Sequence, residues 1–235
     1  MRPPLVPPPD PGPVPPVDYA PPPGPLRVIH RDARWLVVDK PSGLLSVPGK
    51  GAGMEDCVAA RAQAQVPGAR IVHRLDLDTS GVMILALDAD AHRHLGLQFE
   101  RRHARKSYIA RVTGRMARAE GRLELPLRCD WPNRPRQIPD CIQGKAAVTD
   151  WAVLGAEADR RGAPATRVRL FPLTGRSHQL RVHMLWLGHP ILGDPLYGGE
   201  DSRGGADRLQ LHAETLTLRS HLDGAPVTFR SDPPF

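Results

Sequence analysis

Cysteine is scarce in this sequence: there are three, Cys57, Cys129 and Cys141, and no C-x-x-C pair. An odd number at these spacings excludes a disulfide framework and a zinc ribbon, and points to a reducing compartment. Long apolar runs are missing as well. No stretch approaches the roughly eighteen residues that a membrane-spanning helix requires, so no membrane association is expected. Residues 1 to 25 lack the apolar core of a signal peptide and carry a single cation, Arg2, which makes the cytoplasm the expected location. Lysine is nearly absent, with four residues against 28 arginines. Codon usage in a G+C-rich genome explains that ratio as well as function does, so it carries no weight.

Acidic residues are too few to balance the basic ones. Asp plus Glu number 25 against 32 Lys plus Arg, a net charge of +7, which favours a polyanionic partner without naming it. The remainder is ordinary: 235 residues with 40% hydrophobic and 24% charged side chains are enough to bury a core without disulfides or a structural metal.

Proline is concentrated at one end. Thirteen of the 27 prolines lie within residues 1 to 25, including runs at 7–9 and 21–23. So few apolar side chains there leave the ordering entropy uncompensated, and the segment reads as a disordered or extended tail. A single folded domain is expected from residue 26 to 235. Strand patterns fall at 35–39, 81–87, 107–112, 123–127, 147–154, 166–171, 209–213, 215–218 and 227–229. Helical patterns fall at 54–65, at 89–102 behind an Asp88 cap, and at 178–187 behind a Ser177 cap. Strands outnumber helices and alternate with them irregularly. This argues for an α+β fold with a mixed, mostly antiparallel central sheet, not a doubly wound parallel one.

Chemistry-bearing residues cluster in a few places. His73-Arg74-Leu75-Asp76-Leu77-Asp78-Thr79-Ser80-Gly81 occupies a strand-to-strand loop. Its two carboxylates at i and i+2 suit a metal, an acid–base pair, or an Asx-turn on the Thr79 and Ser80 backbone. Thr174 to His183 sets a basic loop before a helix N-terminus. His178 and His183, five residues apart, point to different sides of that helix and suit hydrogen bonding or packing better than a metal. Residues 93 to 118 hold eight Lys or Arg and one acid, Glu100, a run read either as RNA contact or as a solvated face.

Together these blocks resemble a known family. His73-Arg74-Leu75-Asp76 with Thr79-Ser80-Gly81 is similar to the signature of the RluA family of pseudouridine synthases. Four further blocks follow the family order: Lys40-Pro41-Ser42-Gly43-Leu44-Leu45, Lys106-Ser107-Tyr108, Gly175 to Arg181, and Gly188 to Asp194. Cys129-Asp130-Trp131-Pro132-Asn133-Arg134-Pro135 resembles the dual-specificity branch. The resemblance runs from Arg27 to the C-terminus. It implies the pseudouridine synthase catalytic fold with an RNA-binding cleft, and structured RNA as partner, namely a tRNA anticodon stem-loop, a 23S rRNA hairpin, or both.

It also implies roles. Asp76 becomes the catalytic carboxylate, acting on C1′ as a nucleophile or on C2′ as a base, two routes that remain open. Arg181 is its guanidinium partner, and Tyr108 the ring against the target base. Arg74 and His73 are the residues of RNA binding and base flipping, with Arg74 filling the space vacated by a flipped nucleotide. Asp78 is a structural neighbour. No cofactor and no metal are implied, and a monomer is expected. Two rival readings are a catalytically silent RNA-binding module and a metal-using carboxylate hydrolase. The first has no need of Asp76, Tyr108 and Arg181 together, and the second would lose activity to a chelator.

Overall fold

A computed structural model of the chain describes residues 12–16 and 18–235; the proline run at 7–9 lies outside the described residues. In chain order the strands and helices are β1 (Arg27–Arg31), β2 (Trp35–Lys40), α1 (Val58–Gln65), β3 (Arg70–Ile71), β4 (Ser80–Ala86), α2 (Ala89–Glu100), β5 (Arg105–Thr113), β6 (Glu120–Glu124), β7 (Leu127–Cys129), β8 (Gln137–Pro139), β9 (Val148–Ala158), β10 (Pro164–Pro172), α3 (Gln179–Trp186), α4 (Glu200–Gly204), β11 (Leu211–Arg219) and β12 (Pro226–Arg230). The mixed sheet and the preponderance of strands agree with the α+β reading.

The chain divides into two compact units. Among the described residues the first comprises Asp18–Tyr108 and His212–Phe235, the second residues 12–16 and Ile109–Leu211.

In the first unit the strand order is β1-β2-β4-β11, with β3 also on β4 and β12 on β11. The β4–β11 pairing is parallel, and the β1–β2, β2–β4, β3–β4 and β11–β12 pairings are antiparallel. The continuous apolar run of β4 follows from burial on both faces. Met83 and Leu85 join Leu36 and Val38 of β2 against Val58 and Ala62 of α1. Val82, Ile84 and Ala86 join Trp35 and Val37 against Ala91 and Leu95 of α2. Each such Val, Leu, Ile or Met side chain removed from water contributes about 1.5–3 kcal/mol before cavity effects. Gly81 is required by the parallel pairing: with φ at 116° and a Cβ that would sit 2.3 Å from the Ala213 carbonyl oxygen, no other residue fits.

Four local readings need correction. The helix expected from residue 54 begins at Val58, because Cys57 is extended and its Sγ accepts the Ala60 N–H as the cap. The two strands read around residue 214 are one, β11. Buried Glu214 accepts from the Ser107 hydroxyl at 3.1 Å and pairs with Arg230 at 3.4 Å, so its charge does not interrupt the strand. The strand read at 123–127 is divided between β6 and β7, with Leu125 and Pro126 between them. Ser177 does not cap α3: His178 is the cap residue, in the left-handed region at φ 52°, and makes no side-chain cap bond. The Asp88 cap on α2 holds, accepting the Ala91 N–H at 2.7 Å.

In the second unit β10, β9 and β6 lie side by side and antiparallel, and β7 and β8 form a separate hairpin. Leu127, Ala147, Val182, Leu196 and Tyr197 make a core on which Val14 also packs. The proline-rich stretch is not free of contacts. The buried Arg136 donates to the carbonyls of Gly12 and Pro13, both in this unit. Within the first unit, Tyr19 and Arg61 tie residues 19–24 down.

Candidate active site

The loop between β3 and β4 carries His73, Arg74 and Asp76, and its backbone is held at nearly every residue after Arg74. Leu75 is buried in the core. Its N–H donates to Ser46 Oγ at 3.1 Å, and the same hydroxyl donates to its carbonyl at 2.6 Å. Beyond Asp76, the carbonyl of Leu77 accepts from Lys40 Nζ at 2.9 Å and from the Gly43 N–H at 3.0 Å. The carbonyl of Asp78 accepts from Ser42 Oγ at 2.7 Å, and that of Thr79 from Lys40 Nζ at 2.8 Å. Lys40 also donates to Pro41 O at 2.9 Å. Its fully buried ammonium thus meets three carbonyl acceptors, matching its three donors. A Thr79 N–H to Asp76 O bond of 3.2 Å closes the turn. The Lys40-Pro41-Ser42-Gly43 motif therefore works as a cradle for the Asp76 backbone, a role the sequence alone does not reveal.

The flanking residues divide by exposure. His73 is engaged inside the unit: Nε2 accepts the Ile84 N–H at 3.1 Å, and the ring stacks on Phe99 with centroids 4.6 Å apart. Burial, reinforced by the Lys106 charge, lowers its pKa to about 3, so it is a neutral acceptor. Arg74, next in sequence, is exposed and has no hydrogen bond or ion pair among the described residues.

Tyr108 of β5 is half-buried and packs on the core that contains Leu75. Burial pushes its phenol well above the ordinary value, and the negative charge of Asp76 pushes it further. The structure thus brings Asp76 and Tyr108 into electrostatic reach of each other, and keeps the phenol protonated at neutral pH.

Arg181 of α3 belongs to the second unit. Only 2% of it is exposed, and its guanidinium forms a bidentate fork with Asp194, Nε to Oδ2 at 2.8 Å and Nη2 to Oδ1 at 2.7 Å. Asp194 Oδ1 also accepts the N–H groups of Leu196 at 2.9 Å and Tyr197 at 3.0 Å. Burial alone would raise the Asp194 pKa; the Arg181 charge and these donors hold it below the usual carboxylate value. The guanidinium also lies over the Tyr197 ring, 5.2 Å from its centroid. Asp194 is a supporting residue that reading by side-chain type misses, although it closes the Gly188 to Asp194 block.

The histidines of the second cluster act as hydrogen-bonding groups. His183 is fully buried between Thr149 Oγ1 at 2.9 Å and the Leu125 carbonyl at 3.1 Å. Burial depresses its pKa to about 4 against the raising effect of the Leu125 carbonyl. His178 Nδ1 meets the Tyr197 hydroxyl at 2.7 Å. The basic run from 93 to 118 is not one solvated face. Arg111 pairs with Glu157 at 2.7 Å and Lys106 is partly buried, while Arg93, Arg101, Arg102, Arg105 and Arg118 are exposed. Among the described residues no group of three His, Cys, Asp or Glu is arranged to hold a metal ion, and no helix is long and apolar enough to cross a membrane.

Comparison with known proteins bears on this geometry. Residues 34–186 match the family model described as RNA pseudouridylate synthase. A Yersinia pestis protein named "Dual-specificity RNA pseudouridine synthase RluA" is 49% identical over 210 residues, covering 89% of this chain and 100% of that one. The Escherichia coli K12 protein of the same name is 49% identical over 219 residues, 93% of this chain and 98% of that one. Among solved structures, "Human RNA Pseudouridylate Synthase Domain Containing 1" aligns with a TM-score of 0.75 at 30% identity, covering 89% of this chain and 84% of that chain.

Proposed function

The chain belongs to the RNA pseudouridylate synthase family, and we propose that it isomerises uridine to pseudouridine in a tRNA anticodon stem-loop and a 23S rRNA hairpin, working in the cytoplasm as a monomer with residues 26–235 as its catalytic part. The reaction breaks the N1–C1′ bond, turns the uracil, and joins C5 to C1′; the C5 proton is lost and N1 gains one, so atoms balance without an outside reactant. Uracil leaves as an anion and stays to act as the carbon nucleophile. One ionised carboxylate serves either opening step, attack on C1′ or removal of the C2′ proton.

Asp76 fills that role, and the observation that carries it is its backbone cradle. Lys40, Ser42, Gly43 and Ser46 hold the residues on both sides of it, which orients the carboxylate before substrate arrives. Arg181 is the guanidinium that this reading assigns to the reaction, and Asp194 keeps it oriented. Tyr108 supplies a face for the uracil and a hydroxyl donor. With its phenol held neutral, it is poorly suited to take the C5 proton as a base. Arg74, exposed and without an ion pair among the described residues, fills the place of the everted nucleotide, its flat guanidinium stacking on neighbouring bases. His73 contributes to RNA binding by fixing the start of the loop that presents Arg74.

The test is tritium release from stem-loop RNA labelled at uridine C5, in the presence of EDTA. Release by the full chain is expected, with Asp76→Asn abolishing it while RNA affinity stays within about threefold. Turnover by Asp76→Asn would refute the assignment. No release from either RNA class would refute the activity.

A further inference from the structure

An unused aromatic surface lies on the β7–β8 hairpin. Of the four tryptophans, Trp35 and Trp151 are buried and Trp186 is half-buried, whereas Trp131 at the hairpin tip is 66% exposed. The guanidinium of Arg134 lies over the indole, 4.8 Å from its centroid, and is itself exposed.

The tip is held rigidly. Asp130 N–H donates to Arg136 O at 2.9 Å, Asn133 N–H to Asp130 O at 3.1 Å, and Arg136 N–H to Asn133 O at 3.0 Å. At its base, Arg136 Nε donates to Leu196 O at 2.9 Å and Gln137 N–H to the Tyr197 hydroxyl at 2.8 Å. An exposed indole on a fixed turn loses little freedom on binding. Local charge selects the partner. Asp140 is occupied by Arg128 and by the N–H groups of Ile142 and Gln143, and Asp130 takes the Asn133 amide. Arg134 and Lys145 are exposed with no carboxylate partner among the described residues. The tip therefore presents a flat π-surface beside two cations with no carboxylate partner among the described residues, the combination that receives an unpaired base and its phosphate.

We propose that Trp131 and Arg134 form an RNA-docking platform, separate from the residues that perform the chemistry, on which an unpaired base of the substrate loop stacks on the indole while Arg134 meets a phosphate. This rests on the activity proposed above, and the test separates the two. Tritium release from C5-labelled stem-loop RNA is measured against RNA concentration with the full-length protein. Trp131→Ala is expected to raise KM about 5- to 100-fold, with the rate at saturating RNA within about threefold of the parent. Trp131→Phe restores most of the affinity and Trp131→Leu does not. Arg134→Ala lowers the slope of log affinity against log salt by about 0.7–0.9. In an Asp76→Asn background, RNA quenches tryptophan emission, and Trp131→Phe removes most of that quench. An unchanged KM for Trp131→Ala, or full rescue by leucine, overturns the platform even though the parent turns over RNA, and leaves the tip to a protein partner. Failure of the parent itself to release tritium instead overturns the activity, and the platform with it.

Discussion

Around Asp76 a set of fixing contacts reaches the backbone of the loop; around Arg181 the contacts with Asp194 reach the side chain. Four carbonyls and one N–H group of the Asp76 loop are bound by Lys40, Ser42, Gly43 and Ser46, which fixes the main chain that carries the carboxylate. Arg181 is aimed by the buried Asp194, which grips the guanidinium itself. The difference has a physical reason. An aspartate side chain has only two torsions, so holding the main chain on both sides of it already limits where its oxygens can lie. A guanidinium has five N–H donors and can commit two to a permanent partner while keeping others for a second task.

The contrast is broken most severely at Asp194. Asp194→Asn removes one charge of a fully buried pair and is expected to cost about 3–5 kcal/mol of stability, read from urea midpoints. In the protein that still folds, tritium release should slow about 100-fold through loss of Arg181 orientation, with KM for RNA little changed. A raised KM with normal turnover would place Arg181 in RNA binding and not in the chemical step.

Acid sharpens the contrast, because each side has a neutral histidine as an anchor. For His183 the folded pKa is about 4, against about 6.5 for the unfolded chain. The unfolded state takes up the proton first, so stability is constant above pH 6.5 and declines as pH falls toward 4, by about 3 kcal/mol in all. His73, with a folded pKa of about 3, extends the decline to lower pH. Urea midpoints measured from pH 7.5 to 4.5 should therefore fall, and His183→Gln should flatten part of the slope. A profile indifferent to His183 would show that the imidazole is solvated.

Much of this was legible in the residues, and the remainder was not for identifiable reasons. The β4 run declared itself through burial on both faces, and Asp88 through its capping geometry. His73-Arg74-Leu75-Asp76 marked the loop. What stayed hidden were contacts that depend on distant chain segments. Nothing in Lys40 announces that its ammonium will meet carbonyls 37 and 39 residues away, and Glu214 looks like a strand break until Ser107 and Arg230 are placed beside it. The hairpin of β7 and β8 has three-residue strands, too short to set a period of two.

The weakest expected effect tests how far the proline-rich stretch supports the Asp76 loop. By composition, residues 1–25 are dispensable, and their removal should leave the activity intact. In the structure, however, the Tyr19 hydroxyl accepts the Leu45 N–H at 3.1 Å and donates to the Asp56 carbonyl. Leu45 precedes Ser46, the residue that holds Leu75, so Tyr19 supports the loop at one remove. Tyr19→Phe keeps the ring and deletes both bonds, and should cost about 1 kcal/mol in urea midpoints, with tritium release unchanged. Because Ser46 is independently fixed by its two bonds to Leu75, slowed turnover in Tyr19→Phe would mean that the cradle's rigidity depends on the stretch that composition alone treats as a tail.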